Sequence, residues 1–327
     1  MNKNFLVFSN GEKIGDAIIK LPLIYEIKKR FPDYRLIWLT NKEETAYNKQ
    51  LKNLASLYID EIIEKVDLNP FFWQKISNTY NFENKSYEYI FDTQKTIYRT
   101  LALRRIRCKK FISAAGNGFF SSYKINKNPH NFRKYYLEDL FDLLNIIKFR
   151  KTDQRFRIPI PNILEKQLSN IFNNKNKYIG IAPGAGEKDR IWPLRKFIEV
   201  GKYFEKKNYQ IVFYLGPNEV KIKNQLVNLF PNSIIPEDKI KKYSNIEIVI
   251  SSTKFLSCAI ANDSGIGHML SSGYCPLIKL FGHKDSNKFT PINDKIITLN
   301  SKEYGGNDIS LIPLDSVIEN INKMINI

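Results

Sequence analysis

Long apolar runs are missing from this chain of 327 residues. Its hydrophobic stretches are short and interrupted by charge, and none approaches the ~20 residues that a helix needs to cross a bilayer. The first stretch, MNKNFLVFSNGEKIGD, has a brief apolar run but no small-residue cleavage site, so we interpret it as a strand and not as a signal peptide. The sequence therefore predicts a cytoplasmic protein.

Cysteine and histidine are scarce, with three of each. Cys108, Cys258 and Cys275 lie far apart, a spacing that fits neither a disulfide framework nor a zinc site. His130 and His283 have no companion at metal-ligand spacing, because no H-x-E or H-x-x-x-H pattern occurs. We expect a reducing compartment, no metal and no cofactor.

Positive charge is abundant, with a formal net charge of +18. It indicates either a polyanionic partner or the Lys, Asn and Ile bias of an AT-rich genome. Basic residues form only small clusters, at Lys28–Arg30, Arg104–Lys110 and Lys239–Lys242. This spread argues against nucleic acid as a partner and is compatible with weak peripheral contact with the anionic cytoplasmic face of the inner membrane.

Strand-like and helix-like segments alternate along the chain, which predicts an α/β fold with parallel, doubly wound sheets. The alternation stops around residues 150–161, where two prolines and a charged run indicate a linker. We therefore predict an N-terminal domain at 1–155 and a C-terminal domain at 156–327, with a ligand between them. The last helix, predicted over 314–325, is a candidate to pack back on the first domain.

The stretch ANDSGIGHML, residues 261–270, follows an apolar strand and opens a helix. Ser264 is suited to cap that helix, while Gly265 and Gly267 leave its amide groups open to an anion. His268 falls in the first turn, and Asp263 is placed to accept hydrogen bonds from sugar hydroxyls. The alternative is a simple capping motif with a buried histidine.

A second glycine-rich loop, IAPGAGEKDRIWPLRKF at 181–197, also follows a strand. Its small residues admit a diphosphate and its cations, Lys188 or Arg190, neutralise one. Glu219, just after the strand QIVFYLG, is suited to accept from ribose hydroxyls. The alternatives are a solvated loop with a packed tryptophan and, for Glu219, a helix cap.

Two loops of the first half carry further polar residues. In SNGEKIGDAIIKLP, Asp16 stands at a helix start, where it is either an N-cap or a general base. The G-x-G-x-x-G spacing of a dinucleotide site is absent there. In FDTQKTIYR, Asp92, Gln94 and Arg99 follow a strand and suit a polar or anionic acceptor.

Taken together, these motifs resemble glycosyltransferase family 9, the ADP-heptose:lipopolysaccharide heptosyltransferases. The resemblance covers nearly the whole chain, and the core N-D-[ST]-G-x-x-H followed by a strand and F-G is its most specific part. The stretches that carry it are IGDAIIKLPLIYEIKKRFP, FDTQ, APGAGEKDRIWP, ANDSGIGHMLSSGYCPLIKLFGHKD and ISLIPLDSV.

The resemblance implies a GT-B architecture, in which two Rossmann-like domains face each other across a cleft, and metal-independent, inverting sugar transfer. It implies that Asp16 is the catalytic base, that the segment from Asp263 to His268 holds the nucleotide sugar, and that Glu219 contacts ribose. Lys188 or Arg190 takes the role of the family's lysine. The implied partners are an ADP-heptose-like donor and an anionic glycolipid or polysaccharide acceptor.

Other functions remain open from the sequence. A nucleotide-sugar epimerase has the same architecture but needs no acceptor. A non-catalytic member of the fold would bind nucleotide or glycan only. A nucleic-acid-binding protein is disfavoured because no helix-turn-helix, zinc-finger or stacking-platform pattern occurs.

Overall fold

The chain divides into two compact units, Met1–Phe156 and Arg157–Ile327, which we call unit 1 and unit 2. A computed structural model describes residues 3–69, 71, 73, 82, 85–125, 135–151, 158–159, 161–216, 219–273, 275–290 and 295–326. None of the helices in these ranges combines the length and apolar character needed to cross a bilayer.

Unit 1 contains a five-stranded sheet in the order β3-β2-β1-β4-β5, and its strand pairs are parallel. The strands are short apolar runs buried by helices, as expected for a parallel sheet. Their bounds are β1 Lys3–Ser9, β2 Tyr34–Thr40, β3 Glu61–Ile63, β4 Tyr87–Asp92 and β5 Cys108–Ser113. The helices are α1 Ile14–Arg30, α2 Lys52–Ala55, α3 Ile97–Leu103 and α4 Tyr136–Ile147.

Unit 2 contains a second parallel five-stranded sheet, in the order β10-β9-β8-β6-β7. The strands are β6 Lys177–Ala182, β7 Tyr209–Phe213, β8 Cys258–Asn262, β9 Leu277–Phe281 and β10 Ile296–Asn300. The helices are α5 Asn162–Ile171, α6 Leu194–Glu205, α7 Val220–Leu229, α8 Pro236–Lys239, α9 Asn245–Ser252, α10 Gly265–Ser272, α11 Ser286–Phe289 and α12 Leu314–Ile325.

Helical periodicity explains how the helices cover these sheets. In α6, the buried residues Phe197, Val200, Gly201 and Phe204 recur at i, i+3, i+4 and i+7. Three of them, Phe197, Val200 and Phe204, join the apolar core of unit 2. The last helix, α12, contacts α6, β8 and β9 of the same unit. The predicted α/β class with two parallel, doubly wound sheets is therefore confirmed.

Some predicted elements differ from the structure. The apolar run KFLSCAIAND predicts a strand over 254–263, but β8 begins only at Cys258, because residues 253–255 form a turn of 3-10 helix. The run SIIP predicts a short strand over 233–236, and this prediction is wrong: Ile234 makes a single bridge to Val212, and Pro236 begins α8. The stretch NFRKYYLEDLFDLLNII predicts a helix over 131–147. In the structure α4 begins at Tyr136, and residues 131–134 lie outside the described ranges.

Strand order determines where each unit can bind a ligand. In unit 1 the order reverses between β1 and β4, and in unit 2 it reverses between β6 and β8. Open parallel sheets bind ligands beyond the carboxyl ends of the strands at such switch points. The sequence singles out all four loops that leave these strands, together with Glu219 after β7.

Candidate functional site

The loop after β8 delivers the predicted cap of α10. Ser264 has extended backbone angles, and its hydroxyl accepts a hydrogen bond of 3.1 Å from the amide of Gly267. The amides of Gly265 and Ile266 lie in the first turn, where a helix provides no acceptor of its own. An anion at this point meets free donors and the positive end of the helix dipole.

The two glycines of this loop have different roles. A methyl group at Gly267 would lie 2.6 Å from the carbonyl oxygen of Asn262, so the turn itself requires glycine there. A methyl group at Gly265 would meet nothing within 4 Å. The space beside Gly265 is therefore open to a ligand, whereas Gly267 serves the packing of the turn.

Asn262 joins the loops that follow β6 and β8. Its side-chain amide donates to the carbonyl of Pro183 over 2.8 Å, and its side-chain oxygen accepts from the amide of Trp192 over 3.1 Å. The side chains of Asn262 and Trp192 are fully buried. The glycine-rich loop between Pro183 and Trp192 is thus fixed at both ends to the residue that precedes Asp263.

Arg190 is the cation of this loop that reaches the β8 loop. Its guanidinium lies 3.7 Å from a carboxylate oxygen of Asp263 and also contacts Glu187. The Arg190 side chain is 23% exposed, whereas Lys188 is exposed at the surface of the same turn. The sequence leaves open whether Lys188 or Arg190 is the phosphate-binding cation. The contacts of Arg190 with Asp263 and Glu187 favour Arg190.

A histidine and a buried lysine complete the surroundings of Asp263. The His268 ring nitrogen Nε2 lies 3.9 Å from the Asp263 carboxylate. Burial, together with the positive charges of Lys279 and Arg190, holds the pKa of His268 well below its usual range, so this ring is neutral at pH 7. His268 therefore offers a hydrogen bond and no charge.

Lys279 is fully buried in β9 and donates to the carbonyl of Phe289 over 3.2 Å. Burial lowers the pKa of Lys279 to about 8, while the carboxylate of Asp263 opposes that shift. The lysine is therefore still largely protonated at pH 7. Lys279 adds positive charge beneath the loop that follows β8. The sequence PLIKLFG predicts a buried apolar strand and does not indicate this charge.

Glu219 comes close to the glycine-rich loop at Gly184. A methyl group at Gly184 would lie 2.2 Å from the carboxyl carbon of Glu219. The half-buried Glu219 is the residue before α7, but its side chain does not cap the helix. Burial raises the pKa of this carboxyl above its usual range. The Glu219 carboxylate can therefore pack against the glycine-rich loop only because residue 184 has no side chain.

Asp16 lies in the first turn of α1 and is exposed. The residue that precedes the helix is Lys13, and no side chain caps it, so Asp16 is not the N-cap. Four residues further on, buried Lys20 pairs with Glu12 over 2.9 Å and donates to the Ser9 hydroxyl over 2.8 Å. Asp16 thus remains accessible above an internally neutralised loop.

The loop after β4 divides its polar residues between the interior and the surface. Asp92 is fully buried and accepts from the hydroxyls of Thr100, over 2.7 Å, and Ser113, over 2.8 Å. Burial raises the pKa of Asp92 to about 6. Half-buried Arg99 donates to the side-chain oxygen of Gln94 over 3.3 Å. Asp92 is therefore engaged within unit 1, and Gln94 and Arg99 are the members of the predicted acceptor set that reach the surface.

Among the residues that the structure describes, no three His, Cys, Asp or Glu side chains come together as a metal site would require. His130 lies outside those residues.

Two residues of the candidate site, Asn262 and Lys279, are absent from the set predicted from the sequence. The N-D pair of the β8 loop is a signal for Asn262, since a buried Asn at a strand end usually bonds neighbouring backbone. Lys279 has no comparable sequence signal.

The geometry defines a class of protein: two parallel α/β units, one of which presents helix amides and a cation at its switch point, as in GT-B glycosyltransferases. Residues 81–310 match the family model of glycosyltransferase family 9 (heptosyltransferase). The chain belongs to this family and is a glycosyltransferase. The match includes the whole site of unit 2 and the β4 loop, and Asp16 precedes it.

Relatives of known name agree with this assignment. The chain is 23% identical over 291 residues to lipooligosaccharide heptosyltransferase 2 of Campylobacter jejuni. The aligned region covers 85% of this chain and 80% of that protein. It is 22% identical over 308 residues to lipopolysaccharide heptosyltransferase 1 of Campylobacter coli, spanning 88% and 87% of the two chains.

Solved structures confirm the GT-B fold. A family 9 glycosyltransferase from Veillonella parvula superposes with a TM-score of 0.72 at 16% identity, covering 100% of this chain and 98% of that one. The heptosyltransferase WaaC of E. coli, solved with ADP, gives a TM-score of 0.67 at 16% identity, covering 98% and 99%.

The Asn262 bridge generates a prediction about stability. Replacing Asn262 with alanine leaves a buried amide at Trp192 and a buried carbonyl at Pro183 without partners, which costs about 2–4 kcal/mol of the free energy of unfolding. Chemical denaturation measures it. The control is Asn176→Ala, which removes an exposed hydrogen bond to Gln210 and is expected to cost less than about 0.5 kcal/mol. Equal losses in the two variants would contradict the bridging role.

Proposed function

We propose that this protein transfers heptose from ADP-heptose to a lipopolysaccharide or lipooligosaccharide acceptor, with inversion at the anomeric carbon and without a metal. Family membership and the names of the Campylobacter relatives support the reaction. Structures of an E. coli relative with ADP and with ADP-2-deoxy-2-fluoro heptose support the donor. The observation that carries the proposal is the arrangement of the α10 amides, Arg190 and Glu219 around the switch point of unit 2.

The donor diphosphate is assigned to the N-terminus of α10, with Arg190 beside it. As the bond between the anomeric carbon and the phosphate oxygen breaks, the leaving diphosphate gains negative charge. Fixed amides and a held guanidinium stabilise that charge more strongly in the transition state than in the ground state. Glu219 is assigned to the ribose hydroxyls and Asp263 to the sugar hydroxyls. Neutral His268 is assigned to hydrogen bonding within the same subsite.

The acceptor hydroxyl attacks the anomeric carbon from the face opposite the diphosphate. A new carbon–oxygen bond forms, the bond to phosphate breaks, and the hydroxyl proton passes to the Asp16 carboxylate. Asp16 suits this role because it is exposed and caps no helix, whereas nearby Glu12 is committed to Lys20. Gln94 and Arg99 are assigned to the acceptor, and Asp92 to holding their loop in place.

Removal of the base generates the first functional prediction. Asp16→Asn is expected to lower turnover by about 10²–10⁴-fold, because the attacking hydroxyl loses its proton acceptor. ADP affinity is expected to stay unchanged. Single-turnover transfer and calorimetric titration with ADP measure the two quantities. The control is Asp33→Asn, another exposed carboxylate just beyond α1. Loss of ADP binding with normal turnover of bound donor would make Asp16 a donor ligand instead.

The second prediction separates the two cations. Arg190→Ala is expected to weaken ADP binding by about 10–100-fold, the usual range for loss of a charge-assisted hydrogen bond. Lys188→Ala, the matched control on the same turn, is expected to change it by less than about threefold. The assignment of Arg190 fails if both variants bind ADP equally well.

The third prediction tests Glu219 without changing its chemistry. In Gly184→Ala the new methyl group displaces the Glu219 carboxylate, which is the movable end of a side chain, so folding is little affected. Loss of its bonds to ribose is expected to weaken ADP binding about tenfold. Gly186→Ala is the control, because a methyl group there meets nothing within 4 Å. Equal ADP affinity in the two variants would remove Glu219 from the donor site.

A further inference from the structure

The exposed face of α3 in unit 1 is apolar. Ile97, Tyr98 and Leu101 are 49%, 53% and 40% exposed, although each is a large hydrophobic side chain. Ile97 and Leu101 are one turn apart on a single face, while Ala102 and Leu103 point into the core. An apolar helix face of this kind is unfavourable in water unless another surface covers it.

Two further aromatic residues extend this face. The ring of Phe71 stacks on that of Trp73 at 4.7 Å and meets the ring of Tyr98 edge-on at 6.4 Å. Arg105, just beyond α3, donates to the carbonyl of Asn69 over 2.6 Å and so links the helix to this segment. We call the five residues Phe71, Trp73, Ile97, Tyr98 and Leu101 the α3 surface.

The segment of sequence that contains α3 has charged residues of one sign. Between Thr93 and Ile125 the chain has eight lysines and arginines and no acidic residue. Among the residues that the structure describes, Lys95 pairs with Asp139 and Lys109 pairs with Glu88, two carboxylates from outside the segment. Such exposed pairs are weak, and the segment itself has an excess of cations over carboxylates.

The cations border the apolar face directly. Arg104 is exposed and stands at i+7 from Ile97 and i+3 from Leu101, so it continues the same face of the helix. Arg107 follows and is also exposed. A band of aromatic and aliphatic side chains bordered by arginines matches the interface of a bilayer, where Tyr and Trp lie at headgroup level and anionic lipids attract cations.

We propose that the α3 surface binds the headgroup region of an anionic phospholipid bilayer. Arg104 and Arg107 contact lipid phosphates, while the five apolar side chains enter the interface. Membrane binding rests on the proposed function in one respect only: a lipid-linked acceptor is presented at such a surface. Gln94 precedes α3 by three residues and bonds Arg99 within it, so the bound bilayer lies next to the proposed acceptor loop.

Cosedimentation of the full-length protein with vesicles tests the proposal. Vesicles of equimolar phosphatidylcholine and phosphatidylglycerol are compared with vesicles of phosphatidylcholine alone. Binding to the anionic vesicles is expected, and it weakens as salt shortens the screening length. The double variant Ile97→Ser with Leu101→Ser is expected to lower partitioning onto the anionic vesicles roughly tenfold. The double variant Arg104→Gln with Arg107→Gln is expected to lower it about fivefold for each cation removed.

Matched controls in unit 2 separate the α3 surface from the overall positive charge. Lys202→Gln with Lys206→Gln removes the same charge, and Ile163→Ser with Val227→Ser removes exposed aliphatic groups elsewhere. Both controls are expected to bind vesicles like the unmodified protein. Equal losses in control and α3 variants, or equal binding to neutral vesicles, would overturn the proposal.

Transfer to a water-soluble acceptor fragment distinguishes this proposal from the proposed function. The α3 variants are expected to retain transfer to the fragment and to lose transfer to vesicle-embedded acceptor. Lower transfer to the fragment with normal vesicle binding would overturn the membrane role and make the α3 surface part of the glycan site. Normal vesicle binding by a protein that transfers no heptose would instead reject the proposed function alone.

Discussion

The two hydrogen bonds made by the side chain of Asn262 are the constraint on which the proposed donor site of unit 2 depends. One buried amide side chain joins the carbonyl that follows β6 to the amide of Trp192, at the point where the strand order reverses. A long glycine-rich loop is entropically costly to order. Because both of its ends are fixed, Arg190 is held near Asp263, and an anion then meets donors that need little rearrangement.

Local chemistry explains why much of this site is predictable from sequence. Serine before a glycine-rich helix start caps through its own hydroxyl, and the structure has that bond between Ser264 and Gly267. Sheet alternation likewise predicts that four loops gather at the binding edges of two parallel sheets. The choice of Arg190 over Lys188 is different in kind, because a short 3-10 turn decides which side chain faces Asp263. No spacing rule encodes that direction.

Burial determines the roles of Asp92 and Lys279, two residues that the sequence alone does not interpret fully. Asp92 follows a strand, as a ligand-binding carboxylate would, yet hydroxyls of Thr100 and Ser113 from neighbouring elements enclose it. Lys279 stands in an apolar run and gives no sign of function, but the fold brings it under Asp263 and His268. Both outcomes depend on residues distant in sequence, so periodicity and propensity carry no information about them.

The two units differ in their electrostatics: unit 2 holds positive charge beside its candidate site, and unit 1 leaves the Asp16 carboxylate exposed. The proposed donor subsite needs positive charge that is present before the diphosphate develops its negative charge. Buried Lys279 and restrained Arg190 carry such charge in unit 2, at the cost of desolvating both. A general base needs a carboxylate that is committed to nothing else. In unit 1 Glu12 pairs with Lys20 and Asp92 is enclosed, so Asp16 alone of these three carboxylates faces solvent. The contacts that engage Glu12 and Asp92 are thus as much a condition of the proposed catalysis as Asp16 itself.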